Sequence, residues 1–70
     1  MPDWPSSKAS IVLAALLRLG WHVDRQTGSH KVLVRPGFSN IVFAFHEREE
    51  IGPKMLARIA KRTGLKPTDL

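Results

Sequence analysis

The sequence predicts an α+β domain with the order helix, three strands, helix. Three observations predict it. Apolar residues recur at three- and four-residue spacing from Lys8 to Leu19 and again from Pro53 to Thr63. Between these stretches lie three short runs with two-residue alternation or β-branched and aromatic enrichment, separated by glycine and proline signals. Seventy residues allow only one domain, 1–70, so both apolar stripes must share one core. A three-stranded antiparallel meander with both helices on one face satisfies that demand and leaves the other sheet face open.

Each element follows from its residues. Residues 1–6 carry two prolines and read as an extended lead, with Trp4 either folded back or exposed. Ser6 or Ser7 is the expected N-cap of a helix over Lys8–Leu19. Its stripe is Val12, Leu13, Leu16 and either Leu17 or Leu19, with Ile11 at the edge, and Gly20 suits a left-handed stop. The first strand is expected over Trp21–Gln26, where Trp21, Val23 and Arg25 alternate with His22, Asp24 and Gln26. Thr27-Gly28 is the expected turn. The second strand, His30–Arg35, sets His30, Val32 and Val34 against Lys31, Leu33 and Arg35. Pro36-Gly37 opens a loop to Asn40, and Ile41–Phe45 is the third strand. The second helix runs from Pro53, which suits a first helical position, to Thr63. Met55 or Leu56, with Ile59 and Ala60, form its apolar stripe. Gly64 stops it, Pro67 bars continuation, and residues 67–70 are a short tail.

Formal net charge is +5, which favours an anionic partner: nucleic acid, an acidic protein or a membrane surface. There is no cysteine, so disulfides and thiolate metal sites are excluded. No run approaches the ~18 apolar residues of a membrane span. The start, Met1-Pro2-Asp3-Trp4-Pro5, lacks a secretory pattern, which makes the cytoplasm the expected residence. Nucleophile elbows, glycine-rich phosphate loops and HExxH are absent, and the histidines lack metal-ligand spacing. No metal or cofactor is expected.

Turn chemistry, a titratable side chain and a cation coincide once, in Gln26-Thr27-Gly28-Ser29-His30-Lys31. Imidazole titrates near neutrality and so moves protons at cellular pH. The pieces around this stretch resemble the HicA family of mRNA interferase toxins. They are Leu16-Leu17-Arg18-Leu19-Gly20-Trp21, Arg25-Gln26-Thr27-Gly28-Ser29-His30, Phe45-His46 with the acidic residues after it, and Gly52-Pro53 through Leu56, Ile59 and Gly64-Leu65. The resemblance covers about residues 8–66. Ala44 and Lys31 stand where family members often carry proline and a second histidine.

The resemblance implies a fold like a double-stranded RNA-binding domain and metal-independent cleavage of mRNA, with His30 catalytic. His30 would either take the 2′-OH proton or protonate the leaving 5′ oxygen. Gly28, Ser29 and Lys31 would support the site, and Arg25, Lys31 and Arg35 would offset charge on the phosphate. His46 is the candidate second proton-transfer group. Lys54, Arg58, Lys61 and Arg62 on the second helix are the expected phosphate contacts. A HicB-type antitoxin is the implied protein partner, and whether the chain self-associates stays open. Two readings of other classes also stay open: an RNA-binding module of the same fold without catalysis, and a DNA-binding or structural partner protein.

Overall fold

The computed structural model describes residues 4–70; the start of the expected lead, residues 1–3, lies outside them. In chain order the elements are β1 (Ser7–Lys8), α1 (Ala9–Arg18), β2 (His22–Thr27), β3 (His30–Val34), β4 (Ile41–Ala44), β5 (Glu50–Ile51) and α2 (Pro53–Thr63), followed by one 3₁₀ turn at Pro67–Asp69. The order α-β-β-β-α holds, and each expected boundary lies within one residue of the observed one. β2, β3 and β4 make one antiparallel sheet in that spatial order. The shortest extent of the molecule, 17 Å, holds one helical layer and one sheet and no second covering layer.

One ladder was not expected. β1 pairs with β5, Ser7 opposite Ile51 and Lys8 opposite Glu50. It also corrects the capping prediction, because neither Ser6 nor Ser7 caps α1, which has no side-chain cap. The first helical N–H groups donate to main-chain carbonyls instead, Ala9 to Glu49 at 2.8 Å and Ser10 to Glu47 at 3.1 Å. The ladder carries the acidic turn up to the helix start, so tertiary structure satisfies donors that a local side chain would otherwise take. At the other end, Trp21 N–H reaches Leu16 O and Gly20 N–H reaches Leu17 O, both at 3.1 Å. This is the Schellman pattern, and it needs the positive φ of 106° that Gly20 supplies.

The core lies between the helices and one sheet face. Val12 and Leu16 of α1, Leu56 of α2, Leu33 and Phe43 of the sheet, and Trp21 and Ile51 are all buried. Trp4 folds back and joins them. Leu19 rather than Leu17 completes the α1 stripe; Leu17 is exposed, and buried Ala9 and Ala15 allow close approach. On α2 the stripe uses Leu56, while Met55 is exposed.

Thr63 is the one buried polar residue of the described chain. Its Oγ1 donates to Ile59 O at 2.7 Å and accepts the buried Leu65 N–H at 3.2 Å. Gly64 then turns the chain with φ 77° and returns its N–H to Ala60 O. Arg18 Nη2 donates to Asp69 O at 2.7 Å, tying the 3₁₀ turn to the end of α1.

Thr63→Val keeps the side-chain shape but leaves the Leu65 N–H buried without an acceptor, at an expected cost of about 1–3 kcal/mol. Thr63→Ser keeps both bonds and loses one methyl, about 0.8 kcal/mol. Urea unfolding midpoints should therefore rank wild type, Ser, Val. A Val variant at least as stable as the Ser variant would remove the hydrogen-bond role.

Candidate active site

The hairpin between β2 and β3 positions His30. Thr27 pairs with His30, so the two turn residues are Gly28 and Ser29 rather than the expected Thr27 and Gly28. Gly28 has φ 58° and, among the described residues, no non-glycine has positive φ, so only the first central position is left-handed. That matches a type II′ turn, whose twist suits adjoining strands. Gln26 Nε2 donates to Gly28 O at 3.2 Å across it. The bend therefore ends one residue later than its sequence signal, directly at His30.

Sheet alternation then decides what His30 can meet. Lys31 and Leu33 share one face with their partners Phe43 and Ile41. Leu33, Ile41 and Phe43 are buried, so this face carries the helices. His30 and Val32, with partners Ala44 and Val42, take the uncovered face. His30 is exposed there, and Val42 is 64% exposed.

The strand alternation expected for β2 does not hold throughout. Val23 lies opposite Leu33 but Arg25 lies opposite Val32, so Asp24 is an extra, bulged residue. The bulge resets the alternation by one. Val23 stays on the helix side, whereas Arg25 turns to the uncovered face that His30 occupies. Arg25 is thus a diagonal cross-strand neighbour of His30 on the same face, two pairs along the ladder. Sequence alternation had grouped Arg25 with Trp21 and Val23. The available signal was Asp24 itself, a poor residue for a regular strand interior.

The other expected residues fall in different places. Lys31 is half-buried and belongs to the helix-side face, through the sheet from His30. Arg35 sits just past the far end of β3, about 16 Å along the strand from His30 at ~3.3 Å per residue. Its guanidinium carbon lies 4.6 Å from the Phe38 ring centroid, and Phe38 in turn packs edge-on against Trp21 at 5.4 Å. Trp21 is a core anchor, with its indole N–H unpaired among the described residues. His22 lies opposite Val34, at the far end of the hairpin. His46 lies two residues past Ala44, the β4 partner of His30, and so at the same end of the sheet. Its backbone N–H donates to Glu49 Oε1 at 3.3 Å, and its carbonyl accepts Glu49 N–H at 3.0 Å.

Lys54, Arg58, Lys61 and Arg62 are exposed on α2, in the helical layer. Three of them, Arg58, Lys61 and Arg62, border a groove of about 700 Å³ between α2 and β4. The structure thus brings His30 and Arg25 to the uncovered face, with Gly28, Ser29 and His46 at the same end of the sheet, and sets the α2 cations on the other layer. Among the described residues no group of three or more His, Cys, Asp or Glu is arranged to hold a metal ion. No described helix is long and apolar enough to cross a membrane.

No curated protein matches the chain. Residues 9–65 match the family model described as HicA toxin of bacterial toxin-antitoxin. The match runs from the first residue of α1 to just past the end of α2 and takes in the hairpin, His30 and the bulge. The chain belongs to the HicA toxin family of bacterial toxin–antitoxin systems.

Proposed function

We propose that this HicA family member is a metal-independent endoribonuclease that cuts mRNA in the cytoplasm, with His30 as its catalytic residue. One observation carries the reading: His30 is exposed at a glycine turn on a sheet face that no described element covers, with Arg25 turned onto the same face by the Asp24 bulge. A histidine meant for packing would face Leu33 and Phe43 instead.

In the proposed reaction the ribose 2′ oxygen attacks the adjacent phosphorus. The bond to the 5′ oxygen breaks, leaving a 2′,3′-cyclic phosphate and a 5′-hydroxyl end. One proton leaves the 2′-OH and one reaches the departing 5′ oxygen. His30 performs one of these transfers, worth about 10²–10⁴-fold. His46, at the same end of the sheet, is the proposed second group. Arg25 stabilises charge on the phosphate. Gly28 and Ser29 hold the ring at the hairpin end and leave room for a ribose beside it. Lys31 and Arg35 act less directly, adding to the positive field across the sheet and at its far end. Lys54, Arg58, Lys61 and Arg62 raise the local concentration of RNA by long-range attraction and phosphate contact. A toxin of this kind is held inactive by a HicB-type antitoxin, which covers the His30 face.

Purified protein in EDTA should cleave single-stranded RNA to fragments ending in 2′,3′-cyclic phosphate. His30→Ala should cut at least about 10²-fold more slowly. The exposed position predicts little change in its melting temperature. Equal cleavage by both proteins would remove His30 from the chemistry. RNA binding with no cleavage by either would leave the non-catalytic RNA-binding module.

RNA affinity should fall about tenfold between 50 and 200 mM salt if two or three phosphates are neutralised. Fluorescence anisotropy with a labelled RNA oligonucleotide reads this directly. A flat response would count against the cationic contacts.

A further inference from the structure

The two edges of the sheet are built differently. β2 is bulged at Asp24 and carries charged and polar side chains along its length. Both features discourage a further strand. β4 forms the other edge and pairs only with β3. Its sequence, Ile41-Val42-Phe43-Ala44, has no proline and no charge. Every second residue along it turns its N–H and C=O away from the sheet.

Beside this open edge runs the groove between β4 and α2. Phe43, Met55 and Ile59 give it an apolar floor, Arg58, Lys61 and Arg62 give it a cationic rim, and among the described residues no carboxylate lines it. A second copy of the chain would set the same three cations against each other. RNA would find no stacking platform, because Phe43, the groove's one aromatic ring, is 2% exposed. An extended peptide satisfies all three features at once.

We propose that this edge and groove take an acidic, extended segment of a partner protein as a fourth strand. Its main chain pairs along β4, and the alternate residues that point to the α2 side carry both the small apolar side chains for the groove floor and the carboxylates that meet Arg58, Lys61 and Arg62. The proposal does not depend on His30 chemistry, because nothing in it requires RNA to be cut.

The probe is a fluorescein-labelled ten-residue peptide, against the wild-type chain, in which glutamate and valine take turns at every second position with threonine between them, so that one face carries both. It should bind at least about tenfold more tightly than the same peptide with lysine for glutamate, and Arg58→Glu with Arg62→Glu should reverse that order. The decisive arm leaves the protein untouched. Two further probes carry backbone N-methyl groups either on the threonines or on the glutamates and valines. Only one of the two alternating sets donates to β4, so one probe should lose binding and the other keep it. Amide hydrogen exchange should slow at alternate residues of Ile41–Ala44. Equal binding of both methylated probes overturns the proposal, as does equal binding of the lysine peptide. Protection of the β4 amides by a ten-nucleotide RNA but not by the acidic peptide would also overturn it and assign the groove to nucleic acid.

Discussion

The burial of one face of a three-stranded sheet governs the rest of the molecule. Leu33 and Phe43 must lie under Val12, Leu16 and Leu56, because these are the large apolar side chains the short chain can hide together. Side chains along a strand alternate, so a one-residue slip would expose Leu33 and bury a neighbour. Leu33 is three residues from His30, an odd spacing within one regular strand. Burying the leucine therefore forces the imidazole to the solvent side. The accessibility of His30 needs no local device; the core imposes it.

The cation that joins His30 arises differently. A regular β2 would have kept Arg25 on the same side as Val23, facing the helices. The extra residue at Asp24 reverses that and brings the guanidinium to the uncovered face. The bulge lies on the edge strand, where an unpaired residue costs least because no further strand needs matching. Val23 keeps its place opposite Leu33, so the core side of the ladder is undisturbed.

The existence and type of the two helices and the three strands of the main sheet were legible because stripes, turns and stops all agreed, whereas the short β1–β5 ladder was not. Gly20, Gly28 and Gly64 each sit where a positive φ is needed, and Pro53 opens its helix. What escaped the sequence was set by pairings distant along the chain. The start of α1 is finished by carbonyls of Glu47 and Glu49, some forty positions away, so the serines before it misled. The choice of Leu56 over Met55, and of Leu19 over Leu17, depends on helix rotation that one turn of periodicity does not resolve. The turn shifted by one because Thr27 can extend a strand as readily as open a bend. In the site, the two alternating sets of β3 were legible, but not which of them faces the helices, since Val32 and Val34 share the set of His30; the placement of Arg25 was not legible either, since a bulge breaks the rule that alternation uses. Lys31 shows the converse: adjacent in sequence to His30, it is separated from it by the sheet itself.

On the proposed function, the division of charge between the two layers constrains how RNA would arrive. The acidic residues Glu47, Glu49 and Glu50 follow His46 and border the His30 end of the sheet on the side of α1. A polyanion is repelled there and attracted by Arg25 on the open face and by the cations of α2. Over distances beyond about 8–10 Å salt screens these forces, so only the nearest charges steer the final approach. The path of lowest energy to His30 then runs along the uncovered face past Arg25, not over the acidic turn. The edge strand β4 lies between that face and the cationic groove of α2. A protein strand added along β4 would extend the uncovered face beside His30 while its carboxylates neutralised the field that draws RNA in. One docking event at the sheet edge would thus oppose both the approach of substrate and its seating, without a single contact to the imidazole.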